Sequence, residues 1–525
     1  MKLKYLCAIL LAVTFISGLT TSCEDRLDIP KHGSLGGPEA YYKTDEEVLS
    51  GLASMYFTWR WTYYNWYMLK NALSDDVWAG GGSRGDSPDI EGLNEYTYDS
   101  SNGFIKDVYQ NLYRLIYRAN LIIKYVQGTT EEMKRAVAEA KVVRCWAHME
   151  LVSLWGTAPL VDHVLAASEY RQSNSSPEQV WAFIEQDLKE AIQSNNLPSK
   201  KSVDDQETGM RMTQEAAKAL LGKAYLFQGK FIEAGQILDE VIESKLYELY
   251  PDYEYLLHAR ANNSCEAMIE IQMRNDPEQA WAQNWSVNAE VMTAWRSAQL
   301  SFTTEASDIF SMGGYGFFAP RKSLYQAFVD REGENGYRLK STIRTYTQMQ
   351  KEGVSILDGQ VLTGNEGYFM WKNRPLREDL IIDNPGYQIL QYINRRVMRY
   401  AEVLLMAAEA HLRGDNDQTK ALKYVNEIRK RAQLSTLTNV TMEDVKIEKR
   451  LELCLESVRY QDLVRWGDAE TIMASQGKEV ATYNGKITEY PFTNTIYGFK
   501  NKHKLLPIPL AELEVNSNMK QNVGW

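Results

Sequence analysis

Glu452 and Glu456 stand four residues apart, a spacing that sets two carboxylates on one face of a helix, and a carboxylate pair is the machinery of glycoside hydrolysis. Their surroundings argue for another use. The stretch Lys449-Arg450-Leu451-Glu452-Leu453-Cys454-Leu455-Glu456-Ser457-Val458-Arg459 alternates acids with bases around an apolar stripe of Leu451, Leu455 and Val458. That pattern is charge pairing at a helix-packing face rather than acid–base catalysis. The six histidines, at 32, 148, 163, 258, 411 and 503, never fall into an HExxH or HxH spacing, so no metal site is supported. No GxSxG elbow, P-loop or dinucleotide-binding glycine pattern occurs either. The chain shows no reaction centre, and neither catalysis nor a cofactor is expected.

The remaining residues with selective chemistry are aromatic. The chain has 32 Tyr and 13 Trp against 14 Phe. Tyr and Trp join a flat apolar face to a hydrogen-bonding edge, which suits ligands that are half apolar and half hydroxylated. A formal net charge of −11 at pH 7 argues against nucleic acid or an anionic lipid surface as partner and leaves neutral ligands open.

The N-terminus carries an address. Lys2 and Lys4 precede an apolar run from Leu6 to Ile16, broken only by Thr14, and Leu19-Thr20-Thr21-Ser22 places small residues before Cys23. The run is well short of the roughly 20 residues that span a bilayer, so residues 1–22 are expected to be a secretory signal peptide. A cysteine directly after such a site has the form of a bacterial lipobox, in which the thiol of Cys23 takes a diacylglyceryl group. An ordinary leader with an incidental cysteine is the competing reading, since Thr20 stands where an aliphatic residue is usual. Residues 23–37 would then be a lipidated tether, charged first and then rich in Pro and Gly. Of the other thiols, Cys145, Cys265 and Cys454 form no CxxC and are expected to be free.

The body, 38–525, divides by periodicity. In its N-terminal part, about 38–240, helical patterns run over 45–66, 104–126, 131–155 and 177–193, with Ser176 ahead of Pro177 at a helix start and a Gly-rich loop over 79–89. Leu221-Gly222-Lys223-Ala224-Tyr225, followed by Gly229, Phe231, Ala234 and Leu238, matches a tetratricopeptide helix pair. A looser copy runs from Ala401 to Ile428, and 104–155 is a third that lacks the glycine. Between about 250 and 390 the periodicity fades into a long, irregular, aromatic-rich insertion, the kind of segment in which function usually resides. Helices return in the C-terminal part, about 391–525, at 394–413, 418–432 and 442–464. The fold class is mainly α, with helical hairpin repeats supporting a loop-rich region.

The segment from Lys449 to Gly467, ending Tyr460-Gln461-Asp462-Leu463-Val464-Arg465-Trp466-Gly467, resembles the signature helix of the SusD/RagB family of surface lipoproteins. Four further pieces agree in order: Trp146 to Leu160, Arg399 to Ala410, Leu506-Pro507-Ile508-Pro509, and Gln521-Asn522-Val523-Gly524-Trp525. Cys23-Glu24-Asp25 is similar to the acidic export signal of these lipoproteins. Cys454 and Ser457 depart from the family pattern, which has a small or aromatic residue at the first position and glycine at the second. The resemblance implies about four tetratricopeptide-like hairpins and a non-catalytic protein that captures oligosaccharide at the outer membrane surface. It also implies a partner, a SusC-like TonB-dependent barrel on which the protein acts as a lid.

Sugars offer C–H patches to aromatic planes and hydroxyls to Asn, Gln, Arg and Asp. Ligand contacts must therefore be exposed aromatics beside polar groups, off the repeat helices. Trp78, with Arg84, Asn94 and Tyr96 following, is the first candidate set, because family ligands are held partly by this early loop. Trp281, Trp285, Trp295 and Tyr315 form the second. Trp59, Trp61, Tyr64 and Trp66 lie in a helical stretch and are expected in the core. Two alternatives stay open: capture of oligopeptides by the same architecture, and a glycan hydrolase using acids such as Asp75, Asp76 or Glu290.

Overall fold

The computed structural model describes residues 37, 40–278, 292–311, 313–382 and 390–525, so Cys23, the leader and most of the tether lie outside the described residues. Helices of eight residues or more are α1 (Asp45–Ala72), α2 (Pro88–Glu95), α3 (Gly103–Tyr125), α4 (Glu131–Trp155), α5 (Pro177–Gln193), α6 (Gln214–Phe227), α7 (Phe231–Glu243), α8 (Lys322–Glu332), α9 (Tyr400–Arg413), α10 (Gln418–Arg431), α11 (Met442–Leu453) and α12 (Arg459–Trp466). Their starts are written in the sequence. Thr44 closes a capping box with Glu47, Asn102 and Thr130 cap α3 and α4, and Ser176 caps α5 with Pro177 in its first turn. α1 runs past Trp66 to Ala72 because Met68, Leu69 and Ala72 continue its buried face and Lys70 meets Glu150 inside the protein at 3.1 Å.

At each of the three places where the repeat pattern occurs, two helices pair through a short connection: α3 with α4, α6 with α7, and α9 with α10. Gly222 shows why a small residue sits at such a crossing. A Cβ there would stand 2.5 Å from the Leu238 side chain of α7. One large core joins these helices, and a smaller one, built on Trp295, Phe310, Met349, Phe369 and Trp371, lies beneath the irregular region.

The strands are short: β1 (Ala267–Ile271), β2 (Leu300–Phe302), β3 (Ile343–Thr345), β4 (Val354–Ile356), β5 (Leu362–Thr363), β6 (Tyr368–Met370), β7 (Arg395–Arg399), β8 (Glu479–Tyr483) and β9 (Ile487–Pro491). β1 pairs antiparallel with β7, β2 with β4, β3 with β6, and β8 bridges β5 to β9. Two expectations fail here. The stretch expected as one helix over 394–413 begins as the buried strand β7, whose arginines find partners on β1 and just before it: Arg396 meets Glu270 at 3.3 Å and Arg399 meets Glu266. The helix expected over 442–464 is two helices. It breaks at Cys454 to Val458, where Leu455 and Ser457 adopt left-handed φ values of 64° and 63°. Ser457 thus occupies a conformation that favours glycine, and Asn71 holds it through both its backbone N–H and its hydroxyl.

The charges around the break are paired, but inside the protein rather than on a surface. Glu452 is fully buried among three guanidinium groups, those of Arg399 (3.1 Å), Arg338 (3.3 Å) and Arg431. Glu456 takes Arg399 at 2.6 Å and Lys372 at 2.5 Å, and Glu448 takes Arg338 at 2.8 Å and Arg429 at 2.6 Å. Burial by itself would push the Glu452 carboxyl up, but Arg431, Arg399 and Arg338 outweigh it and hold it well below the ordinary carboxylate range. Glu448 and Glu456 are lowered for the same reason.

Removing one partner from such a cluster strands the others. Glu452→Gln should destabilise the protein by about 3–5 kcal/mol, read from the midpoint of urea unfolding. Glu470→Gln, at the exposed pair with Lys504, should change it by less than about 1 kcal/mol. Carboxyls held low in the folded state bind fewer protons than in the unfolded chain. Their contribution is therefore complete above the ordinary Glu value of about 4.3 and is lost as pH falls through the folded values. A thermal-midpoint profile should drop steeply on acidification below that point, and less steeply in Glu452→Gln.

Candidate functional site

Three stretches of chain converge at one place: the loop after α1, the segment 293–320, and the turn around β5 and β6. The loop is locked to the second stretch by backbone bonds, Trp78 N–H to the Ala319 carbonyl at 2.9 Å and Gly81 N–H to the Gly316 carbonyl at 2.9 Å. Gly80 is left-handed (φ 73°), and a Cβ on it would stand 2.3 Å from the Gly316 oxygen, so the run Gly80-Gly81-Gly82 is what lets the two backbones meet.

Arg296, Asp86 and Tyr315 line the outer side of this junction. The Arg296 guanidinium contacts Asp86 at 3.2 Å and the Tyr315 carbonyl at 3.4 Å, while Asp86 also accepts the Gly82 N–H at 2.6 Å. Tyr315 is 45% exposed. Tyr64, on α1, has its phenol pushed up to about 12 by burial and by the neighbouring Tyr315 hydroxyl. Arg296 also lines a recess, together with Thr293, Gln299, Asn365, Thr363 and Gly81, among others, with Trp295 and Phe317 in its walls. An accessible aromatic ring, a cation–carboxylate pair that can bond several hydroxyls, and a polar recess lined by the same cation are groups suited to neutral hydroxylated molecules.

The sequence candidates divide sharply. Tyr315 keeps its side chain exposed at this junction. Trp78 does not offer its ring: it is 3% exposed, with the Arg321 guanidinium 3.5 Å from its ring centroid and its indole N–H donating to Glu366 at 2.9 Å. Asn94 is buried and stitches the loop, accepting the Ala79 N–H and donating to the Ala72 and Val77 carbonyls. Tyr96 is buried, with its hydroxyl on the Leu73 carbonyl. Trp295 is buried, stacked on Trp371, with its N–H on the Met370 carbonyl at 2.8 Å. The expectation that these four are exposed is therefore corrected: they pack inside the protein. Arg84 keeps some exposure but is committed to Glu91 and Glu95. Trp281 and Trp285 lie outside the described residues, as does Glu290.

Of the stretch expected in the core, Trp59 and Trp66 are buried, Tyr64 is half-buried and Trp61 is exposed. The sequence reading missed Arg296, Asp86 and Gln299. The signal available was the adjacency of Arg296 to Trp295 and of Asp86 to the triple glycine.

Asp75 and Asp76 face the interior. Asp75 pairs with Arg459 at 2.8 Å and Arg450 at 3.2 Å, and Asp76 with Arg450 at 2.8 Å, so neither is a free acid in a cleft. The one cluster of metal-ligand type found among the described residues, His411, Asp415 and Asp417, sits at the turn between α9 and α10, away from this junction. Both ring nitrogens of His411 are engaged there, Nε2 with Asp239 at 3.0 Å and Nδ1 with Asp415 at 3.2 Å. A separate open groove of about 450 Å³, lined by Tyr113, Tyr117 and Tyr170, lies on the helical scaffold beside the C-terminal turn.

Comparison with known proteins adds relatives over nearly the whole chain. The sequence model described as the SusD family matches residues 277–525, and one described as starch-binding associating with outer membrane matches 57–226. A SusD-like protein of Bacteroides ovatus is 24% identical over 488 residues, covering 87% of this chain and 82% of its own. SusD-like protein P2 of Formosa agariphila is 25% identical over 551 aligned positions, covering 97% and 98%. Among solved structures, a laminarin-binding SusD-like protein superposes with a TM-score of 0.77 at 29% identity, covering 92% of this chain and all of that one.

Trp78 as a structural clamp has a measurable consequence. Trp78→Ala should cost about 3–5 kcal/mol of stability in urea unfolding. A variant that kept full stability and lost only ligand binding would return Trp78 to the ligand.

Proposed function

The chain belongs to the SusD/RagB family, and on that premise we propose that it captures an oligosaccharide outside the cell without transforming it. The observation that carries this reading is Tyr315 beside the Arg296–Asp86 pair, at a junction that also holds a polar recess. The exposed ring offers a stacking face to the C–H side of a pyranose, and the guanidinium and carboxylate offer donors and acceptors to its hydroxyls. The laminarin-binding relative and the starch-binding family description support a glucan as the ligand class. Asp75 and Asp76, neutralised by arginines, give no support to hydrolysis.

The wider assignment follows from the family. Residues 1–22 export the chain, and a lipid on Cys23 holds it at the outer membrane surface. Residues 23–37 act as the tether, and the body, scaffolded by tetratricopeptide-like hairpins, serves as the lid of a SusC-like TonB-dependent barrel. A site that is one exposed ring and a half-exposed ion pair buries little area and competes with water for each hydroxyl, so a modest affinity suits it.

Calorimetry on residues 24–525 with laminarihexaose, maltohexaose and a mixed oligopeptide tests the reading. Saturable binding of a glucan is expected, weakened at least tenfold by Tyr315→Ala, or about 1.4 kcal/mol, and unchanged by Tyr170→Ala in the scaffold groove. Loss in Tyr170→Ala with Tyr315→Ala silent would move the site to that groove. Binding of the peptide alone would replace the glycan.

A further inference from the structure

Trp61 stands on the outer face of α1, where a core position was expected, and it does not stand alone. Phe57, Arg60, Trp61, Tyr64 and Asn65 fall at the i, i+3, i+4, i+7, i+8 spacing that lines one face of a helix. None of the five is fully buried: Phe57 is 48% and Trp61 41% exposed, and Arg60, Tyr64 and Asn65 are half-buried. The Phe57 and Trp61 rings lie 6.0 Å apart and tilted by 59°, so they are not stacked on one another. The core takes Trp59, Tyr63 and Trp66 from the other side of α1 and has no need of two large rings on this one.

Arg60 is the second observation. Its guanidinium carbon sits 4.7 Å from the centroid of the Phe57 ring. It makes no ion pair with an Asp or Glu among the described residues, and the charge that acts on it is that of Arg395, which with burial lowers it to about 10. Arg338, Arg399 and Arg431, by contrast, each meet a carboxylate. In a chain of net charge −11, a half-buried guanidinium without an acid keeps its donors for a group outside the chain.

The face leads toward the junction. Tyr64 lies one turn along α1 from Trp61, about 4.5 Å of helical rise, and it is the Tyr64 phenol that the Tyr315 hydroxyl pushes up. The stripe therefore begins at the neighbour of Tyr315 and runs back along α1 through Trp61 to Phe57.

We propose that this face of α1 is a second subsite for the captured glycan, in which the Trp61 ring stacks on a sugar further along the chain than the one at Tyr315 and the Arg60 guanidinium donates to its hydroxyls. This rests on the capture reading and deepens it. A ligand that engages both Tyr315 and Trp61 must cross the position of Tyr64, so the surface favours chains of several sugars over short fragments. Two weak subsites joined by one ligand act as a linked pair, the second contact being made at high effective concentration.

The test is calorimetry on residues 24–525 with whichever of laminarihexaose and maltohexaose the wild type binds more tightly, and with the matching trisaccharide. Trp61→Ala and Arg60→Gln should each bind the hexaose about tenfold more weakly while keeping the thermal midpoint within a few degrees. The trisaccharide, held at Tyr315 alone, should lose less than about twofold. A crystal structure of the hexaose complex should show a sugar ring against the Trp61 indole and a hydroxyl oxygen on Arg60. Undiminished hexaose binding by Trp61→Ala, with Tyr315→Ala still impaired, overturns this proposal alone. So does a loss in Trp61→Ala that is as large for the trisaccharide as for the hexaose, because Trp61 would then be part of a single short site. Failure of the wild type to bind either hexaose overturns the capture reading and this proposal together.

Discussion

The interaction on which the rest depends is the burial of Glu452 among Arg338, Arg399 and Arg431. The three guanidinium groups come from the short helix Tyr337–Thr342, the end of β7 and the end of α10, and Glu452 stands in the last turn of α11. One carboxylate therefore ties the irregular region to three elements of the C-terminal helical part. Such a cluster is a poor source of net stability compared with a well-packed apolar core, because desolvation consumes most of the attraction. Its value lies in geometry: four separate segments can satisfy these charges in only one arrangement, so a misdocked insertion would leave an arginine buried and alone.

The loop after α1 is pinned by Asn94 and by backbone bonds to 316–319, and Trp78 is gripped between Arg321 and Glu366. Most of the aromatic mass at this end of the molecule, Trp78, Trp295, Trp371 and Phe310, is floor rather than surface. The result is a rigid platform with few accessible groups, where Tyr315, Arg296 and Asp86 are placed by backbone that cannot shift without opening a core.

Much of the scaffold was legible in the sequence because its signals are local. Ser176-Pro177 marks a helix start, Gly222 marks a close crossing, and helical periodicity carries α4 from Glu131 to Trp155. The family signature was legible too, yet its shape was not. Lys449 to Gly467 has continuous helical spacing, and only the positive φ at Leu455 and Ser457, set by Asn71 and by distant cations, shows where it breaks. The same limit applies to β7, whose arginines look like a solvated helix face until Glu266 and Glu270 are brought opposite them. At the site, residue type separated the aromatics from everything else but could not separate floor from surface. On paper Trp78 stands ahead of Tyr315, and burial, a property of the whole fold, reverses that order.

Strands β1 and β7 have a consequence for how this protein can change. Residues 272–394 leave the scaffold through one and return through the other, and the two lie side by side as a buried antiparallel pair. The stretch is thus a cassette with adjacent ends, the geometry in which whole insertions are exchanged without disturbing a host fold. The stretch is nevertheless stitched to its host at several places: Arg338 and Lys372 reach the charges of α11 and the break that follows, residues 316–319 bond the loop after α1, and β5 pairs with β8. A lineage, or an engineer, could replace the stretch in a single contiguous swap only if those cations, the strand that meets β8 and the contacts to the loop after α1 travel with the paired ends.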